Sequence, residues 1–166
     1  GNDGGVYYSS NMTLSGPSLS IVSRNANYNV TQFYAGAIHP TVDNFMLGGT
    51  QDNGTQKFTQ GGLGTTIEAN GGDGGMCFID ELSPSIQIVS YVRNDFKLST
   101  NGGLSFNVQL LDDLSTGNFI NTADYDSKLK ILYTAKSSST LYRVSNVTTT
   151  PVVSDLTVNM GANATA

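Results

Sequence analysis

Two short turn segments hold the side chains with the most chemistry to offer. Gln51-Asp52-Asn53-Gly54 and Asn70-Gly71-Gly72-Asp73-Gly74-Gly75 each set one carboxylate in a glycine-rich loop beside a strand-like run. Asp52 and Asp73 could therefore share one face, and two carboxylates at a suitable separation are what hydrolysis of a glycosidic bond requires. Together with Asn2-Asp3-Gly4, the same segments offer hard oxygen ligands on flexible backbone, so Asp3, Asp52 and Asp73 are candidate Ca²⁺ ligands. Neither an EF-hand spacing nor a Gly-Gly-X-Gly-X-Asp repeat accompanies them. The plain alternative is structural: Asp-Asn-Gly and Gly-Asp-Gly-Gly are tight turns whose side chains bond nearby backbone.

Other chemistries find little support. His39 and Cys77 are the only strong nitrogen and sulfur ligands, with no zinc-type spacing around them. His39 precedes Pro40 at a strand end and reads as part of that turn. One histidine without a nucleophile elbow makes no Ser-His-Asp set. The glycine-rich stretches lack the Lys-Ser/Thr of a phosphate-cradling loop and lead into no helix. Cys77, in the apolar run Met76-Cys77-Phe78-Ile79, has no partner for an internal disulfide and reads as an inert core thiol.

Composition narrows the field further. The 166 residues are 38% hydrophobic and only 13% charged, about half the globular norm of roughly a quarter. Gly, Ser, Thr and Asn fill the space, so the chain offers many turns and few long helices. A net charge of -5, with eight scattered Lys and Arg, excludes a phosphate-tracking nucleic-acid surface. Apolar runs fall far short of the ~20 residues of a membrane-spanning helix, and no signal-peptide pattern opens the chain. Few lysines among many Asn and Thr point to a secreted protein. Asn-X-Thr occurs at Asn11, Asn29, Asn53, Asn146 and Asn163, as chance allows in such a composition.

Short apolar or alternating runs bounded by Gly, Asn, Asp or Pro predict an all-β fold of antiparallel sheets. Strands are expected at 6–9, 18–22, 32–38, 45–50, 55–59, 75–80, 87–92, 96–99, 104–110, 119–125, 130–135, 140–144 and 152–158. They recur in groups: a strand, a turn with Pro or Asp, then an apolar strand, with steps of 44 from Pro40 to Pro84 and 42 from Pro84 to Asp126. Four strands in a period of this length predict β-propeller blades, each needing neighbours to cover its two apolar faces. The phase gives the second half of a blade at 1–30 and blades at 31–72, 73–113 and 114–158. Residues 159–166 read as a frayed or truncated end. That is about three to four blades of one propeller domain, incomplete against the four to eight of closed propellers. A β-sandwich accepts the same strands and is the alternative.

One turn is more specific. In Ser99-Thr100-Asn101-Gly102-Gly103-Leu104-Ser105-Phe106, Asn101 can bond backbone N–H groups ahead of it, and the glycines allow positive φ. Phe106 supplies an aromatic wedge between sheets. The run resembles the Asp-box, Ser-X-Asp-X-Gly-X-Thr-Trp, of the BNR, sialidase-like and sortilin-like propellers, with Asn101 for Asp, Ser105 for Thr and Phe106 for Trp. Weaker versions are Tyr8-Ser9-Ser10-Asn11, Phe58-Thr59-Gln60-Gly61 and Val144-Ser145-Asn146. The order Gly48-Gly49-Thr50-Gln51-Asp52-Asn53-Gly54-Thr55, then Gly71-Gly72-Asp73-Gly74-Gly75, is similar to a pattern of large secreted bacterial propellers of this type. The resemblance implies that Ser99, Asn101, Gly103 and Phe106 form a folding device on the outer rim, away from ligands.

The resemblance also sets what catalysis would need. Sialidases of this superfamily use three arginines, a Tyr–Glu nucleophile and an Asp acid. Arg24, Arg93 and Arg143 sit at unrelated blade phases, and Glu68 and Glu81 lack that context. Some xyloglucan-degrading propellers pair aspartates in a cleft, which keeps a glycoside-hydrolase fragment using Asp52 or Asp73 as the enzymatic alternative. The leading expectation is a non-catalytic secreted or cell-surface propeller segment, a scaffold binding a protein or glycan at Gln51, Asp52, Asn53 and Asp73. A third reading is a subunit of an extracellular assembly whose other chains cover the open blade faces. No cofactor is expected beyond the Ca²⁺ candidate, and no nucleic-acid partner or transmembrane segment.

Overall fold

The computed structural model describes residues 6–11, 13, 19–26, 31–62 and 64–158. Asp3 and residues 159–166 lie outside them. The chain divides into two compact units, Gly1–Thr31 and Gln32–Ala166. In the first, β1 (Tyr7–Tyr8) pairs antiparallel with β2 (Val22–Ser23). The Arg24 guanidinium lies 5.4 Å from the centre of the Tyr8 ring.

The second unit is three consecutive four-stranded antiparallel meanders, and the protein is all-β, with no helix among the described residues. Sheet one is β3 (Phe33–Ile38), β4 (Met46–Thr50), β5 (Thr55–Phe58) and β6 (Ile67–Asn70). Sheet two is β7 (Cys77–Ile79), β8 (Gln87–Ser90), β9 (Asn94–Ser99) and β10 (Val108–Asp113). Sheet three is β11 (Ala123–Asp126), β12 (Ile131–Ser137), β13 (Thr140–Ser145) and β14 (Val152–Thr157). Each strand pairs with its chain neighbours within its own sheet, so no strand crosses between sheets.

Alternation along the strands of sheet two explains its unbroken apolar runs. Cys77, Ile79 and Val89 face sheet one and pack with Leu47 and Phe106. Their neighbours Phe78 and Ile88, with Phe96 and Leu98, pack against Ala123, Leu132 and Val144 of sheet three and Val147 of its last turn. A sheet covered on both sides needs apolar residues at every position, not every second one. Cys77 is buried, its Sγ directed at the Leu47 carbonyl 3.6 Å away, and burial pushes its pKa up to about 11.

The turn after the first strand of each sheet is built one way. His39 Nδ1 accepts N–H bonds from Thr41 and Val42 at 3.2 and 3.0 Å. Asp80 Oδ1 accepts from Leu82 and Ser83 at 2.9 and 2.7 Å, and Asp126 Oδ1 from Lys128 and Leu129 at 2.8 Å each. In the first two sheets the loop closes identically, with His39 N–H on the Phe45 carbonyl and Asp80 N–H on that of Ile86. The equivalent residues are therefore His39, Asp80 and Asp126, at steps of 41 (80 − 39) and 46 (126 − 80). Pro40 and Pro84 are not equivalent: they stand one and four residues beyond the capping side chain. The 44- and 42-residue steps are corrected accordingly.

Strand positions also shift where side chains take over backbone groups. Residues 104–107 leave the expected strand 104–110 because Asn101 Oδ1 accepts the N–H groups of Leu104 and Ser105, both at 3.1 Å. Residues 119–122 leave the strand expected at 119–125, since Asn121 is drawn into a buried amide network and its Oδ1 accepts the Asn118 N–H at 3.1 Å. Strand β6 has no counterpart among the expected strands: Thr65, Thr66 and Ile67 are β-branched, but the flanking glycines give the segment the composition of a loop.

Two phenol–carboxylate contacts fasten sheet three to sheet two. Tyr125 OH donates to Asp80 Oδ2 and Tyr142 OH to Asp113 Oδ2, each at 2.7 Å. Burial opposes the Asp80 charge, yet donation from Lys130, Tyr125, Ser83 and Leu82 outweighs it and holds the carboxyl below its usual range. Ser115, Thr116 and Tyr142 hydroxyls hold Asp113 well below it too. Burial, then the Asp80 carboxylate, raises the Tyr125 phenol.

Both aspartates titrate lower in the folded than in the unfolded state, so their stabilisation is complete above pH ~4 and fades as pH falls toward the folded values. The urea midpoint should drop steeply below that pH, and less steeply in Asp113→Asn; equal acid slopes would contradict the assignment. Cys77 should resist a thiol reagent in native buffer and react promptly in denaturant, and equal labelling rates would contradict its burial.

Candidate functional site

Each sheet has two ends, and the chain crosses from sheet to sheet at one of them. Turns β4–β5 and β8–β9 and connections β6–β7 and β10–β11 meet there. Both glycine-rich segments lie at this end and form a single object. Gly54 N–H donates to the Gly72 carbonyl at 2.6 Å, Gly74 N–H to that of Thr50 at 2.8 Å, and Gly75 N–H to that of Ser90 at 3.0 Å. The Thr50 hydroxyl, fully buried, donates to the Gly54 carbonyl at 2.7 Å. Backbone meets backbone so closely that a β-carbon at Gly49 would stand 1.8 Å from the Gly75 oxygen, and one at Gly74 2.3 Å from the Gly54 oxygen. Only glycine fits at these positions, for reasons of space.

Asp52 and Asp73 ride on this seam. Asp73 Oδ1 accepts the Asp52 N–H at 3.1 Å, and Asp52 itself has a positive φ of 59°. Asn53 Nδ2 donates to the Gln51 carbonyl at 2.8 Å, and Gln56 Nε2 donates to the Asn53 carbonyl. The structure thus brings Gln51, Asp52, Asn53 and Asp73 together, with side chains of Asn53 and Asp73 engaged in holding the loop. No group of three His, Cys, Asp or Glu able to hold a metal occurs among the described residues.

The junction of sheets two and three at this end is closed by side chains. Asn121 Nδ2 donates to Asn94 Oδ1, Thr134 Oγ1 and the Ala135 carbonyl at 2.7, 2.9 and 2.7 Å. Thr134 Oγ1 also donates to Asn94 Oδ1 at 2.8 Å, and all three residues are buried. Arg93, at a φ of 57°, donates from its backbone to the Phe119 carbonyl at 2.9 Å and from Nη1 to that of Gly117 at 3.2 Å. Phe119 stays 53% exposed. Beside it, a shallow pocket of about 200 Å³ is lined by Gly117, Asn118, Asn121, Ala135, Lys136 and Ser137. Lys136 is held 2.6 Å from Asp155 Oδ2 and 4.6 Å from the Tyr142 ring centre, and the Asp155 contact raises its pKa. Asn94 opens β9, Thr134 lies within β12 and Asn121 precedes β11, and single polar residues so dispersed carry no periodic signal, which hides the network from the sequence.

The Ser99–Phe106 turn lies at the opposite end. Ser99 Oγ donates to Asn101 Oδ1 at 2.7 Å and accepts the Gly103 N–H at 2.9 Å, while Asn101 Nδ2 donates to Ser105 Oγ at 3.0 Å. Phe106 joins the core between sheets one and two. The Gly103 carbonyl accepts Lys57 Nζ at 2.7 Å, tying the turn to β5 of sheet one. Ser99 Oγ also accepts the Asn101 N–H at 3.3 Å, and Ser9 repeats this by accepting the Asn11 N–H at 3.4 Å, while Asn11 Oδ1 accepts the Thr13 N–H at 2.9 Å.

No family model and no curated protein matches the chain.

Gly102 and Gly103 share a φ of 72°, but a β-carbon meets nothing at Gly102 and comes 2.3 Å from buried Gln87 Oε1 at Gly103. Gly102→Ala should cost about 1 kcal/mol through φ strain, and Gly103→Ala about 2–3 kcal/mol through strain plus overpacking. Urea unfolding of both variants checks this, and equal losses would refute the packing account.

Proposed function

We propose that the protein is a segment of a β-propeller, secreted or displayed at a cell surface, that binds a protein or glycan without catalysing a reaction. Three successive meanders, the middle one packed through one face on the sheet before and through the other on the sheet after, support the radial reading. The binding face is the end where the glycine seam and the 114–121 connection meet. Rigid sheets hold its loops, exposed Asp52, Asn53 and Phe119 project there, and Tyr91 lies against Gly72. Amide, carboxylate and aromatic groups on fixed loops suit glycan hydroxyls or a polar peptide.

One observation carries the non-catalytic choice: the Asp73 carboxylate accepts a backbone N–H of the loop that bears Asp52. A hydrolase needs one carboxyl kept protonated and another free for the reacting centre. The assembly reading draws on exposed Phe33, Ile38 and Met46 of sheet one and Val152 and Leu156 of sheet three. These apolar side chains suit burial against further sheets.

Asp52→Asn and Asp73→Asn separate binding from hydrolysis. Neither the parent nor the variants should release sugar from plant or bacterial polysaccharides, whereas Phe119→Ala should weaken binding on a glycan or peptide array about ten-fold, roughly 1.4 kcal/mol. Release of sugar by the parent that both Asn variants abolish would establish the hydrolase instead.

A further inference from the structure

The sequence contains three Asn-Gly pairs, at Asn53, Asn70 and Asn101. An Asn side chain followed by glycine is open to attack by the glycine nitrogen, because no β-carbon shields it. Two of the pairs are locked against this. Gly54 N–H is bonded to the Gly72 carbonyl at 2.6 Å, and Gly102 N–H to the Ser85 carbonyl at 2.9 Å. Asn101 Oδ1 additionally accepts Ser99 Oγ and the Leu104 and Ser105 N–H groups.

The third pair differs in every respect. Among the described residues the exposed Gly71 offers its N–H to no acceptor. Asn70 Oδ1 accepts Lys97 Nζ at 3.4 Å, so a cation from β9 of sheet two polarises the amide carbonyl at the end of β6. A carboxylate stands beside the same glycine: a β-carbon at Gly71 would lie 2.8 Å from Glu68 Oε1. Nucleophile, base and oxyanion partner are therefore assembled around one amide.

We propose that Asn70 is a self-modification site, deamidating through a cyclic imide with Gly71. Glu68 takes the proton from the Gly71 N–H as that nitrogen bonds to Asn70 Cγ, and Lys97 stabilises the negative charge on Oδ1. The Cγ–Nδ2 bond breaks with return of the proton to nitrogen, releasing ammonia. Water then opens the ring to aspartate or isoaspartate, so the balance is Asn plus water giving Asp plus ammonia. The aspartate would face Lys97 as an ion pair joining sheets one and two. Isoaspartate would add a main-chain carbon beside the Thr55–Asn70 pair.

The test is peptide mapping by mass spectrometry of the intact protein incubated in mildly alkaline buffer. Acid should appear at Asn70 at least about ten-fold faster than at Asn53 or Asn101, a barrier difference of ~1.4 kcal/mol. In denaturant the three rates should converge. Lys97→Met and Glu68→Gln should each slow the folded-state reaction at Asn70 several-fold, with unfolded-state rates unchanged. Equal folded-state rates at the three sites, or an Asn70 rate indifferent to both substitutions, would overturn the proposal. So would ammonia loss that leaves Asn70 crosslinked to Lys97, since lysine would then be the nucleophile.

Discussion

Backbone amides that leave one sheet and enter the next must be satisfied at a place where two apolar faces close on each other. Between sheets one and two the solution is chiefly backbone on backbone: the carbonyls of Thr50 and Ser90 take the N–H groups of Gly74 and Gly75. This approach sets the spacing at which Leu47 can meet Val89 and Cys77. A single β-carbon in the seam would force the sheets apart and open the core behind it. The loops that carry Asp52 and Asp73 inherit their position from the same contact.

Side-chain amides, hydroxyls and carboxylates do the equivalent work elsewhere. Asn94, Asn121 and Thr134 fill the junction of sheets two and three, and their mutual bonding is what makes their burial tolerable. Asp80 serves twice, capping its own turn with one oxygen and receiving Tyr125 and Lys130 with the other. Low charge content is thus compatible with heavy use of the charges present. Asp73, Asp80, Asp113 and Asp126 all accept backbone N–H groups or hydroxyls that the fold would otherwise leave exposed or unpaired.

The strands with alternating or unbroken apolar patterns were readable from the residues alone, as were the buried environment of Cys77 and the part His39 plays in its turn. The box-like turn was readable because Ser, Asn and two glycines each have a local physical use. What escaped depended on partners distant in sequence. Nothing in Asn121 itself shows that it meets Asn94, 27 residues away. Prolines suggested a repeat step, yet the equivalent feature is a side-chain acceptor that can be histidine or aspartate. Asp52 and Asp73 meet at one seam, and the hydrogen bond by which one supports the other lies beyond the reach of composition and spacing.

The two inter-sheet joints differ in what they are made of, and so in how each responds to acid. Uncharged peptide groups make most of the contact between the first pair of sheets, with the Asp73 carboxylate and the Lys57 ammonium as its charged members. Ionised oxygens gripping two phenols secure the last sheet, and protonation loosens that grip. Acid therefore withdraws hydrogen bonds chiefly at the second joint, while the apolar core there, Ile88, Phe96 and Leu98 against Leu132 and Val144, carries no charge to titrate.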